Sequence, residues 1–202
     1  FRRTKSNDRP VIRQIIDLIP GHLLRSAVQK HRSDKYCHRY RTRDQLVALL
    51  FGQLCRCSTL EDISVGIGVS GTFIRDLGLE QSPAKSTMSD GNRKRDYRVF
   101  ETLYTGLLSY YGSLLKRHSG RKVIDEVRNR TVLIRDSTVI AVCLGLFEWA
   151  KFRTAKGGLK IHTQWDEAMM MPDLVNITEA KVHDSKGFGQ TVFPKDTIII
   201  ED

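Results

Sequence analysis

Apolar positions through the first 119 residues recur three and four apart, the pattern of helices that bury one face. Val11, Ile12, Ile15, Ile16 and Ile19 form the first stripe, which Pro20-Gly21 closes. A short helix is predicted over 23–30, and the polar stretch 31–42, dense in Lys, Arg and His, reads as a loop. The run Leu46-Val47-Ala48-Leu49-Leu50-Phe51 predicts a mostly buried helix, with Thr42 or Asp44 placed to cap it. Ser58-Thr59-Leu60-Glu61 has the form of a capping box and opens a short helix to about residue 67. Gly66, Gly68 and Gly71 then interrupt the chain before Thr72-Phe73-Ile74-Arg75-Asp76-Leu77, giving the outline of a helix-turn-helix. A capped start at Ser86-Thr87 leads into Arg93-Lys94-Arg95. Residues 99–115 follow as a helix with Phe100, Leu103, Leu107 and Tyr110 as its buried stripe.

Beyond Thr131 the period shortens to that of strands, predicted at 131–136, about 139–144, 159–165, 174–179 and 197–201. Gly157-Gly158 and Met171-Pro172-Asp173 mark turns, and Asp184-Ser185-Lys186-Gly187 a turn into a short helix. Sequential strands, a helix and a further strand make an α/β order. The expected organisation is an all-helical domain over 1–120, a charged linker over 121–130 and a mixed-sheet domain over 131–202.

A length of 202 residues leaves room for one ordinary domain or one and a half, and 40% hydrophobic content supports a packed core. No stretch approaches the roughly 20 apolar residues of a membrane span. Phe1-Arg2-Arg3-Thr4-Lys5 is basic without an apolar run behind it, unlike a signal peptide. The absence of an initiator Met and a last strand that stops at its tip read as a piece of a longer chain. The net charge of +10 is unevenly placed. Residues 1–130 hold 25 Lys and Arg against 13 Asp and Glu, a net +12, whereas 131–202 hold 8 against 10, a net −2. A basic front half is the electrostatic footprint of a nucleic-acid binder, or equally a solvated surface. Cys55-Arg56-Cys57 has too short a spacing for an ordinary zinc finger, and Cys37, Cys55, Cys57 and Cys143 read as reduced thiols, two of them within an apolar helix.

The candidate chemistry lies at strand ends. Thr131-Val132-Leu133-Ile134-Arg135-Asp136 and Thr197-Ile198-Ile199-Ile200-Glu201-Asp202 each deliver an aspartate after an apolar run. Neighbouring strands lie about 4.8 Å apart. A hard cation with oxygen ligands at about 2.1 Å fits between two such carboxylates. Asp136 and Asp202 are therefore the candidate metal-binding and catalytic residues, with Glu201 replacing Asp202 if the register slips by one. The candidate phosphate contacts are Arg75, Lys85, Arg93, Lys94, Arg95, Arg153, Lys156 and Lys160; the basic run 93–95 reads equally as a solvated helix face. Lys160 and His162 alternate along one strand and share a face, either toward a phosphate or as ordinary edge residues. His183 and Asp184 read as the start of the short helix, and Trp149 and Trp165 as core or interface.

Taken together, Asp136-Ser137-Thr138, Trp149-Ala150-Lys151-Phe152-Arg153, Lys160-Ile161-His162, His183-Asp184 and a strand ending in Asp202 resemble a DDE transposase of the insertion sequence four group. The segments 48–54, 58–63 and 86–95 resemble the helical domain that precedes the catalytic domain in a subset of that group. The resemblance covers nearly the whole chain. It implies an N-terminal helical DNA-binding domain followed by the start of a ribonuclease-H-like mixed-sheet domain, with Asp136 and Asp202 as the first two acidic residues. The family's third, a Glu on a downstream helix, has no counterpart in this sequence. The resemblance further implies two Mg²⁺ (or Mn²⁺) ions in a complete site and double-stranded DNA, both element ends and target, as partner. A homodimer pairing two ends and a bacterial, cytoplasmic, nucleoid-associated setting are also implied. Two other readings are a DNA-binding regulator or remnant without catalysis, and a ribonuclease-H-like nuclease acting on a Holliday junction or an RNA–DNA hybrid.

Overall fold

The computed structural model describes residues 9–118, 127, 130–142, 151–153, 156–189 and 193–201. Within them the chain is α+β: helices first, then a mixed sheet, in two compact units spanning 1–107 and 108–202. The division falls inside a helix that runs from 98 to 118, and most of the expected linker 121–130 lies outside the described residues. No helix among the described residues is long and apolar enough to cross a membrane.

The helical unit holds α1 (Val11–Asp17), α2 (Gly21–His31), α3 (Thr42–Leu54), α4 (Leu60–Ile67), α5 (Gly71–Asp76), α6 (Lys85–Lys94) and the first half of α7 (Arg98–His118). Pro10 and Pro20 stand immediately before α1 and α2, where a missing N–H costs nothing, and their carbonyls accept the first helical bonds. The predicted capping box forms one residue later than expected, on Thr59 and Asp62. The Thr59 hydroxyl accepts from the Asp62 N–H at 3.1 Å, and the Asp62 carboxylate accepts from the Thr59 N–H at 2.8 Å. Nor does Ser86 cap α6, which begins at Lys85 after Ala84 without a side-chain cap. Cys55 caps the C-terminus of α3 and Cys57 lies beyond it, so neither sits within the helix.

Two apolar clusters hold the unit together. The larger joins Ile16 of α1, Val47, Ala48 and Phe51 of α3, Ile63 and Ile67 of α4, Leu77 and Leu79 just after α5, and Met88 of α6. The close approach of α3 to α4 needs a glycine at 52, because a Cβ there would stand 2.6 Å from the Ile63 side chain. The smaller cluster packs Ala27 of α2 against Val99 and Leu103 of α7, with Phe100 and Leu107 partly buried beside them. Tyr110, expected to continue that stripe, is exposed, one turn past the last of these contacts.

The sheet comprises β1 (Val132–Val142), β2 (Lys151–Arg153), β3 (Lys156–Asp166), β4 (Met171–Glu179) and β5 (Ile198–Glu201), with α8 (Asp184–Gly187) between β4 and β5. β1 occupies one long edge of β3, antiparallel; β2 and β4 share the other, also antiparallel. β5 lies on the far side of β1 and parallel to it, giving the order β2-β3-β1-β5 with β4 beside β3. The two short strands expected at 131–136 and 139–144 are one. Ser137-Thr138-Val139-Ile140 contains no Gly or Pro and is rich in β-branched residues, so nothing stops the strand after Asp136.

Candidate functional site

Alternation along β1 sorts its side chains between the two faces of the sheet. Ile134, Asp136 and Thr138 lie on one face, Leu133, Arg135 and Ser137 on the other. Asp136 is paired across the ladder with Thr163, is exposed, and its carboxylate has no hydrogen bond or ion pair among the described residues. It sits in the middle of β1, yet at the level where β5 ends. The parallel register runs Val132 with Ile198, Leu133 with Ile199, Ile134 with Ile200 and Arg135 with Glu201. Asp136 and Asp202 are the residues that follow that last pair in each strand; Asp202 itself lies outside the described residues.

Glu201 is not available as a substitute ligand beside Asp136. It pairs with Arg135 on the opposite face, and its carboxylate accepts from the Arg135 guanidinium at 2.7 Å. The same guanidinium donates from Nε to Gln164 at 2.9 Å, and Gln164 donates in turn to Asp173 at 3.2 Å. One polar chain thus crosses β5, β1, β3 and β4 at a single level of the sheet. The Arg135 guanidinium lies 4.6 Å from the Phe188 ring and 4.8 Å from that of Phe193, and the side chain is only 10% exposed. The pairing of a charged fork with flanking rings suits Arg, whose planar cation stacks as well as hydrogen-bonds.

A second polar group lies one level along on that same face. His162, fully buried, holds Ser137 Oγ at 2.8 Å through Nδ1 and Thr178 Oγ1 at 2.8 Å through Nε2. Asp184, at the start of α8, takes the Lys160 ammonium at 3.1 Å and stands 3.7 Å from His162 Nδ1. Burial pushes the His162 imidazole below its usual range, while the Ser137 hydroxyl and then Lys160 hold the Asp184 carboxyl below its own. Gly187 rests directly on the His162 ring, so that a Cβ would overlap it, and its carbonyl accepts from Asn176 at 2.7 Å. Ser, His and Asp here do not form a nucleophile–base–orienter line. The second ring nitrogen faces Thr178 rather than the carboxylate, and the imidazole has no access to solvent. The cluster anchors α8 to the sheet.

Lys160, one of the expected phosphate contacts, is engaged by Asp184 and lies on the face away from Asp136. Arg153 and Lys156 pair where β2 meets β3, and their side chains lie outside the described set. In the helical unit, Lys85 is exposed at the first position of α6, and Arg75 is exposed on α5 with its guanidinium against Thr72 Oγ1 at 3.3 Å. Arg93 and Lys94 share Asp90, at 2.6 and 3.1 Å. Arg95 is not a surface cation at all: its side chain is 4% exposed and donates to Gln45, to the Tyr40 carbonyl at 2.8 Å and to the Ser33 carbonyl at 3.4 Å. A charged side chain at the end of a basic run was expected to face water; here unpaired loop carbonyls draw it inward. The structural roles of Arg135 and His162 were missed. Their signal was the polar alternation of Arg135 and Ser137 on one strand facing Lys160, His162 and Gln164 on the next.

α4 and α5, joined through Gly68-Val69-Ser70, reproduce the predicted helix-turn-helix outline. Phe73 and Ile74 pack on the core while Thr72 and Arg75 face outward. Residues 7–80, which include this pair, match a family described as Domain of unknown function (DUF4372). Neither the curated proteins nor the solved structures contain a match to the chain.

Proposed function

We propose that this chain belongs to a DDE transposase: the helical unit holds DNA, and the sheet unit is the opening of a ribonuclease-H-like catalytic domain. The observation that carries this reading is the β1–β5 pairing. Four strands in antiparallel pairings are followed by a helix and a strand parallel to β1, whose register runs out one residue before an aspartate in both. The domain matched by residues 7–80 is one found at the N-terminus of insertion-sequence-four-like transposases, which supports the same reading. The +12 charge of residues 1–130 supports DNA as the partner.

Asp136 fits a divalent ion as far as one ligand can, being an exposed carboxylate with no competing partner among the described residues. On this reading Asp136 and Asp202 hold Mg²⁺ or Mn²⁺. When bound, the ions polarise the scissile phosphate and stabilise the attacking and leaving oxygens of an in-line displacement. Arg135, clamped to Glu201, keeps the end of β5 in register with β1 and so keeps the two aspartate positions adjacent. Element ends and target DNA are the substrates, paired in a homodimer within the bacterial cytoplasm.

The test is cleavage of a labelled duplex with Mg²⁺ titrated in, using the complete protein. Asp136→Asn is expected to abolish cleavage and leave DNA affinity within about twofold. Affinity itself should fall by about 10³ to 10⁵ between 50 and 200 mM salt if six to ten phosphates are contacted. Cleavage retained by Asp136→Asn would remove the catalytic half of the proposal, and a flat salt profile the DNA-binding half.

A further inference from the structure

The cations of the run at the end of α6 are the less available ones; a freer set lies on the loop 32–41. That loop carries Arg32, Lys35, Arg39 and Arg41 against a single acid, Asp34. Asp34 is turned inward, accepting from the Thr42 N–H and hydroxyl at 2.6 Å each, with the buried Arg95 guanidinium 3.9 Å away. The one negative charge of the loop is thereby neutralised from below. Arg32, Lys35 and Arg39 are exposed and have no ion pair among the described residues, in contrast to Arg93 and Lys94, which share Asp90, and Arg98, held by Asp96 at 2.6 Å.

Within the loop stands Tyr36, 83% exposed. The Lys35 ammonium lies 4.9 Å from the ring centroid, over one face, and the rest of the ring projects into water. The backbone at Tyr36 has φ 64, a left-handed conformation that a bulky residue rarely adopts and that glycine would satisfy at less cost. A large apolar ring held out of the core, in a backbone conformation unsuited to it, is not explained by folding. The loop itself is firmly seated: Arg95 ties the carbonyls of Ser33 and Tyr40 to the end of α6. Open concavities of about 550 Å³, lined in part by Arg32, Lys35, Tyr36 and Lys94, and about 630 Å³, lined in part by Arg39 and Arg41, flank it on either side.

We propose that this loop is a DNA-contact element in which Arg32, Lys35 and Arg39 take backbone phosphates and the open face of Tyr36 stacks on an unpaired base. Bases inside a duplex already stack on one another; only a single strand or a frayed end offers a free face to such a ring, and a neighbouring cation strengthens the contact. The inference rests on the proposed DNA-binding role and deepens it, by naming the surface and the DNA form preferred.

The experiment measures fluorescence anisotropy of the full chain with two labelled DNAs of equal phosphate number, one a duplex with a single-stranded overhang, the other closed at both ends by tethered loops that leave no unpaired base free. Wild type is expected to favour the overhang. Tyr36→Ala should lose about tenfold on the overhang and little on the closed duplex, whereas Tyr36→Phe should retain the preference. Tyr36→Gly should lose the preference while keeping or raising the thermal midpoint, which a ring needed for folding would not do. Arg32→Gln with Lys35→Gln and Arg39→Gln should flatten the salt slope by about two to three on both DNAs. If that triple variant and Tyr36→Ala bind as wild type does, the loop proposal falls while DNA binding stands. If wild type shows no salt-dependent binding to either DNA, the loop proposal and the DNA-binding role fall together.

Discussion

Arg95 fastens the loop that precedes α3 to the C-terminal end of α6, reaching two loop carbonyls and the side chain of Gln45 from a nearly solvent-free position. Tyr40, whose ring lies 5.8 Å from this guanidinium, has its hydroxyl pushed up to about 12 by burial, so it carries no negative charge beside Arg95 near neutrality. Arg95→Ala would leave those acceptors unpaired and is expected to cost about 2 to 3 kcal/mol, read as a lowered midpoint in urea unfolding. A surface cation would cost almost nothing. The run Arg93-Lys94-Arg95 gives no sign of this division of labour, because residue type and helical spacing fix where a side chain starts but not which unpaired carbonyls lie within its reach. Asp136 is different. Its face was legible, since alternation along an apolar strand is set by the pleat alone, and the same alternation turns Glu201 away from it.

At the scale of elements, α8 depends on one imidazole. His162 is faced by Ser137, Thr178, Lys160, Asp184 and the Phe188 ring. Its folded pKa lies below the unfolded value of 6.5 because burial disfavours the charged ring. The unfolded chain therefore binds more protons between those two values, and stability rises with pH. Stability from this group is complete above about pH 6.5 and is lost as pH falls through that range toward the folded pKa; Asp184, with its carboxyl lowered, adds a further loss at more acid pH. Thermal midpoints read by tryptophan fluorescence should decline from pH 7 to pH 5, and His162→Gln should flatten that decline; an unchanged slope would show the ring is not the titrating group. Helix existence followed from hydrophobic spacing, but the expected caps shifted or did not form. At α4 the neighbouring hydroxyl of Thr59 serves in place of Ser58, and at α6 no side chain caps the start at all. The merging of two expected strands into β1 has a tertiary origin. Where no Gly or Pro intervenes, strand length is set by the partner, here the 11 residues of β3.

For the molecule as a whole, the α+β order was readable because the hydrophobic period changes once along the chain, whereas the place of division was not, since α7 continues across it without a break in pattern. Strand order was not readable either; it came from which edge of β3 each later strand could occupy. β5 is the outermost strand in that order, and its only partner among the described residues is β1. It offers Ile199 and Ile200, 37% and 51% exposed, along a row of amide groups that pair with no second strand among the described residues. Such a margin invites recruitment of the same strand from another molecule and, with enough copies, a growing stack. Concentrated samples of this chain are expected to gain mass in light scattering over time. Ile200→Lys, which places a charge on that margin, should hold them monodisperse.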